Sequence, residues 1–303
     1  MKALVTGGAG FIGSHVVDAL IAGGHEVVVI DDLSSGKKEN ISSRAVFFEK
    51  SITSDLGNLF SEYKFDTVFH LAAIASVQYS IKEPAHTHDT HVQGTLNLLE
   101  YCRKHNVKRF VFSSSSAVYG DQKEFPLHEG MTPNPMSPYA LHKLIGEYYC
   151  KLYYFLYGLE TISLIYSNVY GARQNPSGDY AGLIPKFLSL MREGKTPTIF
   201  GDGEQTRDFI HVSDVVAANL AAALTNDKKC FGEFFNIGSG NQISVNDVLK
   251  AIKEIIGSSI EPIYGGAVIE PKHTRADITK ARDLLGWQPK TPFEEGLRTL
   301  IQD

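Results

Sequence analysis

The chain has 303 residues, of which 43% are hydrophobic and 21% are charged, proportions that are normal for a globular protein with a sizeable core. Its formal net charge of −5 gives no basic field that would favour nucleic acid or an anionic membrane. Three scattered cysteines indicate a reducing compartment and no zinc site. No apolar run approaches the about eighteen residues of a membrane span, and a strand predicted from residue 2 leaves no place for a signal peptide, so we expect a cytoplasmic protein.

Strands and helices alternate through the first half of the chain. The predicted strands are 2–6, 25–30, 45–49, 66–72, 108–113 and 161–166, and the predicted helices are 12–22, 54–62, 87–105 and 137–157. The alternation predicts right-handed βαβ units and therefore an α/β fold with a Rossmann-type, doubly wound parallel sheet. Ligands of such sheets bind beyond the carboxyl ends of the strands, so the residues that follow the strands are candidates for a site.

A glycine-rich turn, residues 7–13, follows the first strand at once. Its glycines permit a tight bend and let backbone N–H groups come close to a pyrophosphate at the N-terminus of the next helix. The second strand leads into Asp31, about twenty residues on, where a carboxylate can bind ribose hydroxyls. This order predicts a dinucleotide site, and Asp31 favours NAD over NADP because a carboxylate repels a 2′-phosphate.

The regular alternation ends after about residue 167. Helices are predicted at 213–225, with Ser213 as its N-cap, and at 244–256, with Ser244 as its N-cap. A strand at 234–237 is expected to return to the parallel sheet.

These patterns predict two domains. The first covers residues 1–166 and is rejoined by about 205–240. The second, a smaller and discontinuous α/β domain, covers 167–303 and would bind the substrate.

A second informative stretch begins at Ser137, which is a candidate helix cap, with Pro138 in the first turn. Tyr139 and Lys143 then lie four residues apart on one helical face. An ammonium group beside a phenol lowers the pKa of the phenol from about 10, which makes Tyr139 a candidate general base. The pair follows both the glycine turn and a serine cluster at 113–116, an order that favours catalysis over a surface contact.

The sequence resembles the extended short-chain dehydrogenase/reductases, in particular their NAD-dependent epimerase/dehydratase group. The resemblance covers nearly the whole chain and is carried by residues 6–14, 31–33, 112–120, 137–143, 167–171, 207–212 and 276–281. It implies C4 epimerisation of a UDP-sugar, UDP-glucose or UDP-galactose before others, with NAD kept bound and regenerated. Tyr139 would take the proton of the sugar 4-hydroxyl while a hydride moves from C4 to the nicotinamide and later returns to the other face of the sugar.

The resemblance also implies a role for individual residues. Lys143 would bind the nicotinamide ribose, and Ser115 would hydrogen-bond the reacting oxygen. The cofactor set is Gly7, Gly10, Phe11, Ile12, Asp31, Asp32, Ser35, Gly36, Ser51, Ile52, Leu71, Ala72 and Ala73, with Tyr139 and Lys143. The substrate set is Ser115 and Tyr139 at the sugar, Asn168 and Arg207 at the diphosphate, Leu183, Ile199 and Phe200 around the uracil, and Glu270 at the ribose. Arg207 could instead pair with Asp208 on the surface, and the three apolar residues could instead be core.

Several positions depart from the family pattern. A gapless alignment puts residues 267–270 where the family often carries Arg-x-Gly-Asp, so a second arginine for the diphosphate is missing. Ala75 replaces a lysine that is found in some epimerases, and His91 replaces the usual asparagine. Thr274 aligns with a gate that is bulky in enzymes restricted to plain hexoses, so UDP-N-acetylhexosamines are also candidate substrates.

Other functions stay open beside this one. UDP-N-acetylglucosamine or UDP-glucuronate 4-epimerases share the pattern. Dehydratases carry Asp-Glu at the positions of Ser116 and Ala117, and UDP-xylose-forming decarboxylases carry Glu at Ala117. A non-catalytic NAD(H) sensor on this fold would typically lack the Tyr139 and Lys143 pair, which is retained here.

Two predicted helices are too apolar around their circumference for a single buried face. Helices 87–105 and 137–157 together form a four-helix seam across a two-fold axis in similar epimerases, which predicts a homodimer. The alternative is deep packing of these faces under the second domain. The histidines at 86, 88 and 91 show no carboxylate array around them and are interpreted as surface or supporting residues, so no metal site is expected.

Overall fold

The computed structural model describes residues 1–176, 182–266 and 271–302, and its centre is a seven-stranded parallel sheet. The strands, in chain order, are β1 Lys2–Thr6, β2 Glu26–Asp31, β3 Val46–Glu49, β4 Thr67–His70, β5 Arg109–Ser115, β6 Glu160–Tyr166, β7 Asn168–Tyr170, β8 Thr198–Phe200, β9 Thr206–Arg207, β10 Phe209–His211, β11 Glu233–Ile237, β12 Ile243–Ser244 and β13 Ile263–Gly265. The sheet has the order β11-β6-β5-β4-β1-β2-β3, and all its pairs are parallel. The predicted Rossmann-type sheet is confirmed, including the return of the strand at 234–237.

Helices cover both faces of this sheet. They are α1 Phe11–Ala22, α2 Gly57–Tyr63, α3 Val77–Lys82, α4 Pro84–His88, α5 Gly94–Lys104, α6 Pro138–Tyr157, α7 Leu183–Arg192, α8 Val212–Leu224, α9 Val245–Ile256, α10 Thr279–Leu285 and α11 Phe293–Gln302. In the described ranges none of them combines the length and the apolar character that crossing a bilayer requires.

The strands are apolar on both sides because each side faces a layer of helices. Val5 and Val29 belong to one buried cluster, and Leu4 and Val28 belong to the other. Successive side chains of a strand point to opposite faces, so a continuous apolar run is what a sheet covered twice requires.

The prediction of a single helix at 87–105 is wrong, because the segment forms two α-helices and a π-helical turn. Helix α4 starts earlier, at Pro84, and a π-helical turn at Asp89–Gln93 separates it from α5. The wider turn sends His91 inward, where Nε2 accepts a hydrogen bond from the Ile74 N–H at 2.9 Å. A Cβ on Gly94 would come within 2.5 Å of the Ile52 side chain, so a glycine is needed where the turn ends.

The two predicted helix caps have different outcomes. Helix α8 starts at Val212, and its cap is the His211 ring, whose Nδ1 accepts a hydrogen bond from the Ser213 N–H, so the prediction of Ser213 as cap is wrong. The cap of α9 is Ser244, as predicted, with Oγ accepting from the Asp247 N–H at 3.0 Å.

The second half of the chain contributes to two apolar cores. Helices α7, α9 and α11 share one cluster with β8 and β10. Residues of α8, β11 and α10 instead belong to the cluster that contains α1 and one face of the central sheet. We therefore propose a division into a nucleotide-binding unit, completed by α8 and β11, and a smaller unit around α7 and α9.

One buried carboxylate joins three segments of the second half of the chain. Asp208 is fully buried and accepts four hydrogen bonds: from Ser239 N–H at 2.7 Å, Ser239 Oγ at 2.8 Å, Gly240 N–H at 3.1 Å and Ala276 N–H at 3.0 Å. Burial raises the pKa of this carboxyl group, and the four donors oppose that rise. The loop after β11 and the segment before α10 are thus fixed to the strand residue that follows Arg207.

Asp208→Asn is expected to lower the free energy of unfolding by about 3 kcal/mol, because an amide NH₂ would face buried N–H donors that need an acceptor. Urea unfolding followed by circular dichroism measures the change. The matched control is Asp202→Asn, since Asp202 is exposed and its carboxylate accepts from the Glu204 N–H at 3.0 Å. An equal loss in both variants would contradict the role given to Asp208.

Candidate active site

A cavity of about 560 Å³ opens at the carboxyl ends of the central strands. The predicted site residues that line it are Gly7, Gly10, Phe11, Ile12, Asp31, Asp32, Ser35, Ser51, Ile52, Leu71, Ala72, Ala73, Tyr139 and Lys143. The parallel sheet brings these together because every loop after a strand starts at the same edge. Gly36, Ser115, Asn168, Leu183, Ile199, Phe200 and Arg207 do not line this cavity among the described residues.

The glycine turn packs too tightly for side chains. Gly7 has a φ of +72°, and a Cβ there would lie 2.6 Å from the Ala72 nitrogen. A Cβ on Gly13 would lie 2.1 Å from the Gly7 carbonyl oxygen. Gly10 is the N-cap of α1 and offers no side-chain acceptor, so the first-turn N–H groups remain for an anion at the cavity wall. The turn therefore fits a dinucleotide pyrophosphate.

Asp31 is held in a fixed orientation at the cavity. It is 8% exposed and accepts hydrogen bonds from the Ala9 N–H and the Leu33 N–H, both at 2.9 Å. Burial raises the pKa of its carboxyl group, while these two hydrogen bonds oppose the rise. Gly36 lies directly against it, since a Cβ there would be 2.9 Å from Asp31 Oδ1. Gly36 thus leaves room for the carboxylate rather than contacting the cavity itself.

Lys143 projects from α6 to the end of β5. It is 5% exposed, its Nζ donates to the Ser113 carbonyl at 2.8 Å, and Nζ lies 5.9 Å from the centroid of the Tyr139 ring. Burial lowers the pKa of Lys143 to about 8, and the nearby Glu147 carboxylate opposes that shift. The predicted i, i+4 neighbours therefore do lie on one face of the helix, at the cavity wall.

The pKa of the Tyr139 phenol moves opposite to the expected direction. Burial raises it, and a hydrogen bond with Ser115 partly lowers it. The sequence argument considered the ammonium of Lys143 alone, and desolvation of the phenolate is the larger effect here. Ser115, which does not line the cavity, is nevertheless close enough to bond the phenol oxygen.

Of the two positions that the sequence left open for His91, surface or supporting, the structure has the supporting one. It is 3% exposed, and its ring stands edge-on to the Tyr139 ring at 5.7 Å between centroids. Its Nε2 accepts from the Ile74 N–H, so one imidazole connects the loop after β4 to the phenol. Burial lowers the pKa of His91 to about 2, which keeps the ring neutral. Within the described ranges no three His, Cys, Asp or Glu side chains are grouped so that they could hold a metal ion.

The predicted substrate residues other than Ser115 and Tyr139 all follow β6 in the chain. Arg207 Nη1 donates to the Thr206 carbonyl at 2.9 Å and the Lys272 carbonyl at 3.3 Å. Asp208 is buried with four donors on it, which counts against an exposed Arg207–Asp208 pair. Asn168 starts β7, Leu183 starts α7, the Ile199 side chain is packed in the apolar core, and Phe200 is 45% exposed. Glu270 lies outside the described residues.

The segment after β7 also reaches the cavity. Arg173, Gln174 and Asn175 line it, and Arg173 forms an ion pair with Asp18 of α1 at 2.7 Å. Asn40 lines it as well, with Nδ2 donating to the Ala9 carbonyl at 2.9 Å. Their separation along the sequence from the glycine turn explains why no local pattern pointed to them.

Comparisons with known proteins agree with this geometry. A family model described as the NAD dependent epimerase/dehydratase family matches residues 3–238. A UDP-glucose 4-epimerase of Mycolicibacterium smegmatis is 40% identical over 100% of this chain and 98% of its own length. The structure of a UDP-glucose 4-epimerase from Thermotoga maritima with UDP-glucose superposes with a TM-score of 0.96 at 46% identity, covering 100% of this chain and 98% of that one. A UDP-N-acetylglucosamine 4-epimerase from Methanobrevibacter ruminantium, in complex with UDP-N-acetylmuramic acid, superposes with a TM-score of 0.94 at 38% identity, covering 99% and 97%.

Proposed function

Because the chain belongs to the NAD dependent epimerase/dehydratase family, we propose that Tyr139, Lys143 and Ser115 are the catalytic residues of its C4 epimerisation and that UDP-glucose and UDP-galactose are its main substrates. The chain is an NAD-dependent nucleotide-sugar 4-epimerase. The observation that carries the catalytic assignment is the position of Tyr139 and Lys143, which lie together on one face of α6 in the cavity that the glycine turn also lines.

Each residue has one task in this proposal. NAD would supply the reversible acceptor for the C4 hydride. Tyr139 takes the proton of the sugar 4-hydroxyl and returns it, Ser115 orients the same oxygen, and the ammonium of Lys143 stabilises the phenolate. No residue needs to hold water or a metal ion for this chemistry.

The cofactor and substrate contacts form part of the same proposal. We assign the adenosine ribose to Asp31, the pyrophosphate to the glycine turn, and the sugar-nucleotide diphosphate to Asn168 and Arg207. The remaining cofactor and substrate residues keep the roles that the resemblance implies for them, and Glu270 is included on the sequence alone.

Related reactions would require carboxylates where this chain has none. Ser116 and Ala117 occupy the 3₁₀ turn after β5, so the acid and base of a dehydratase and the glutamate of a decarboxylase are missing there. A non-catalytic NAD(H) sensor would not need the Tyr139 and Lys143 pair that faces the cavity. Epimerisation therefore has the stronger support.

Purified protein given UDP-glucose without added NAD should form UDP-galactose, separated by anion-exchange chromatography. Denaturing the same preparation should release NAD, identified by mass spectrometry. UDP-N-acetylglucosamine and UDP-glucuronate are tested in parallel. If UDP-glucose is left unchanged while one of the others is converted, the sugar assignment is wrong. If released NAD is accompanied by no conversion of any of them, the sensor function is favoured.

The gate position supports acceptance of N-acetylated sugars as a second activity. Thr274 lies beside β9, with its N–H on the Thr206 carbonyl and its Oγ1 accepting from the Asp208 N–H at 3.3 Å. Its hydroxyl is thus turned towards the backbone of the strand that carries Arg207. A small side chain held there leaves more room beside that strand than a tyrosine would.

Thr274→Tyr is expected to lower kcat/KM for UDP-N-acetylglucosamine by about 100-fold and for UDP-glucose by less than about 3-fold, because an overpacked pocket excludes the larger sugar first. Coupled assays with both substrates measure the ratio. Thr274→Ser, which keeps the hydroxyl, is the control and should leave the ratio unchanged. An equal loss for both sugars in the tyrosine variant would contradict the gate.

We also propose a homodimer through α5 and α6. Side chains spaced along one face of α6 are exposed although apolar: Leu141, Tyr148, Leu152 and Phe155, the last at 82%. Tyr153 of α6 donates to Glu100 of α5 at 2.8 Å, so the two helices form one surface. Their exposure counts against the alternative that these faces pack under the second domain, and a second copy of the same surface across a two-fold axis would cover them.

Phe155→Asp is expected to convert the dimer to a monomer, because a carboxylate at the most exposed apolar position would be buried unpaired in the seam. Size-exclusion chromatography with light scattering measures the mass. The control is Leu224→Asp, because Leu224 is also exposed, at 58%, but lies at the end of α8. This variant should stay dimeric. A monomeric native protein would rule out the dimer.

The state of the cysteines supports a cytoplasmic location. Cys102, Cys150 and Cys230 are all buried free thiols. Such thiols are stable in the reducing cytoplasm, which we propose as the location of the enzyme. Fractionation of cells that express a tagged chain tests the assignment.

A further inference from the structure

A third charged side chain continues the row of Tyr139 and Lys143 along α6. Glu147 follows at the next i+4 position and is 3% exposed. The Ser114 hydroxyl donates a hydrogen bond to Glu147 Oε1, and the neighbouring Ser113 carbonyl accepts from Lys143 Nζ at 2.8 Å. The end of β5 therefore bonds two side chains of opposite charge, Lys143 through the Ser113 carbonyl and Glu147 through the Ser114 hydroxyl. A buried carboxylate is costly, and its position beside the catalytic lysine calls for an explanation.

A glycine brings the helix close enough for this arrangement. A Cβ on Gly146 would come within 2.3 Å of the Phe112 ring, so α6 rests directly on that side chain. Lys143 Nζ lies 5.3 Å from the centroid of the same ring. Glu147 and Lys143 are thereby enclosed between helix and sheet, where water screens their attraction little.

Among the described residues, Lys143 is the one cation that acts on Glu147. From β5 and the turn that follows it, Ser114 and Tyr119 face the carboxylate, and from α6 itself Lys143 and Cys150 do so. The tyrosine and the cysteine are neutral, since burial raises the pKa of both groups. Lys143 is thus the charged neighbour that Glu147 influences.

We propose that Glu147 is a positioning residue that acts through Lys143: its carboxylate keeps the buried amine protonated, so that a charged ammonium faces Tyr139. This inference rests on the proposed function, because Tyr139 must be the proton acceptor for the ammonium to matter. Glu147 itself touches neither substrate nor cofactor, since it lies behind Lys143 and does not line the cavity.

The directions of the pKa shifts agree with the geometry. Burial lowers the pKa of Lys143, and Glu147 raises it again. Burial raises the pKa of Glu147 to about 7, and the Ser114 hydrogen bond and Lys143 oppose that rise. As the pH rises through about 8, Lys143 loses its proton and the phenol loses its charged neighbour. Because Glu147 raises the pKa of Lys143, activity is expected to fall on the alkaline side, and to fall at lower pH when the carboxylate is removed.

The test is kcat as a function of pH in the purified enzyme with UDP-glucose. Glu147→Gln should lower kcat at pH 8 about tenfold and move the alkaline limb to lower pH, because the amide has no negative charge to favour the ammonium of Lys143. Ser114→Ala should move the alkaline limb the same way by less, because the carboxylate loses its donor and is less fully ionised. Glu160→Gln is the control for lost stability: it breaks the ion pair with buried Arg109 at 2.8 Å, away from the cavity, and should keep the native pH profile.

A second readout does not depend on turnover. Infrared difference spectra between pH values detect the C=O stretch of a protonated carboxyl, which should appear as the pH falls in the native protein and be missing in Glu147→Gln. In Lys143→Met the same band should appear at higher pH, because the ammonium no longer favours the carboxylate. An unchanged midpoint in Lys143→Met, or a native pH profile in Glu147→Gln, overturns the inference. If the native protein converts no UDP-sugar, the proposed function fails, while the infrared midpoints still decide whether Glu147 and Lys143 are coupled.

Discussion

Tyr139→Phe is expected to lower kcat for C4 epimerisation by about 10³-fold, while NAD stays bound. The change removes a single oxygen atom, the proposed acceptor of the proton. The ring remains, and so does its edge-on contact with His91 at 5.7 Å. The loss therefore isolates the proton transfer, since neither the glycine turn nor Asp31 is disturbed.

Turnover is measured by chromatographic separation of the two UDP-hexoses, and bound NAD by mass spectrometry of the denatured protein. Tyr148→Phe is the matched control, because Tyr148 lies on the same helix but is 54% exposed. It should keep native turnover. Native activity in Tyr139→Phe would show that another group accepts the proton, and the catalytic assignment would be wrong.

Gly13→Ala is expected to weaken NAD binding by at least about 100-fold, because the loop that would hold the pyrophosphate must move. The new Cβ would lie 2.1 Å from the Gly7 carbonyl oxygen and 3.0 Å from the Gly8 Cα, both backbone atoms of the same turn. Backbone in a close-packed turn cannot move aside without changing its hydrogen bonds, and the Gly7 N–H bonds the Ile30 carbonyl at 2.8 Å.

Two further alanine variants separate binding from stability. In Gly10→Ala the Cβ would lie 3.2 Å from the Gly7 carbonyl oxygen, so a smaller effect on binding is expected. Gly24→Ala meets no atom within 4 Å but forces a φ of +78° on alanine, so it should cost about 1 kcal/mol of stability with no effect on NAD. Isothermal titration of NAD into protein from which the bound NAD has been removed, and urea unfolding, measure the two quantities. Equal losses of NAD binding in Gly13→Ala and Gly24→Ala would contradict the role given to the glycine turn.

The parts of the site that the sequence predicted are those set by local spacing. Strand β1, the glycine turn and Asp31 follow one another within a short stretch, where apolar runs and glycines dictate the geometry. Tyr139 and Lys143 are fixed relative to each other by the helical repeat, once Ser137 and Pro138 start the helix. The parallel sheet then places the two stretches at one edge, because its topology follows from the alternation of strands and helices.

The parts that the sequence did not predict depend on contacts between distant segments. The π turn is accompanied by close packing of Gly94 against Ile52 and by the hydrogen bond from the Ile74 N–H to His91. The periodicity of the helix predicts neither contact. The direction of the shift in the pKa of Tyr139 depends on the balance between burial, which raises it, and Ser115, which lowers it. Only the packed structure defines that balance. The spacing of Glu147 places it in the row of Tyr139 and Lys143, but its burial depends on Gly146, which lets α6 pack directly on Phe112.

The late return of β11 to the sheet has a consequence for synthesis of the chain. Strand β6 borders β5 on one side, but its other edge has no partner until residues 233–237 have left the ribosome. Throughout the translation of the intervening segment, a nascent chain presents open backbone groups beside an apolar face, a combination that promotes association between chains. Fragments that stop near residue 166 should therefore aggregate. A chaperone that covers this edge of β6 until β11 has been synthesised would reduce that aggregation.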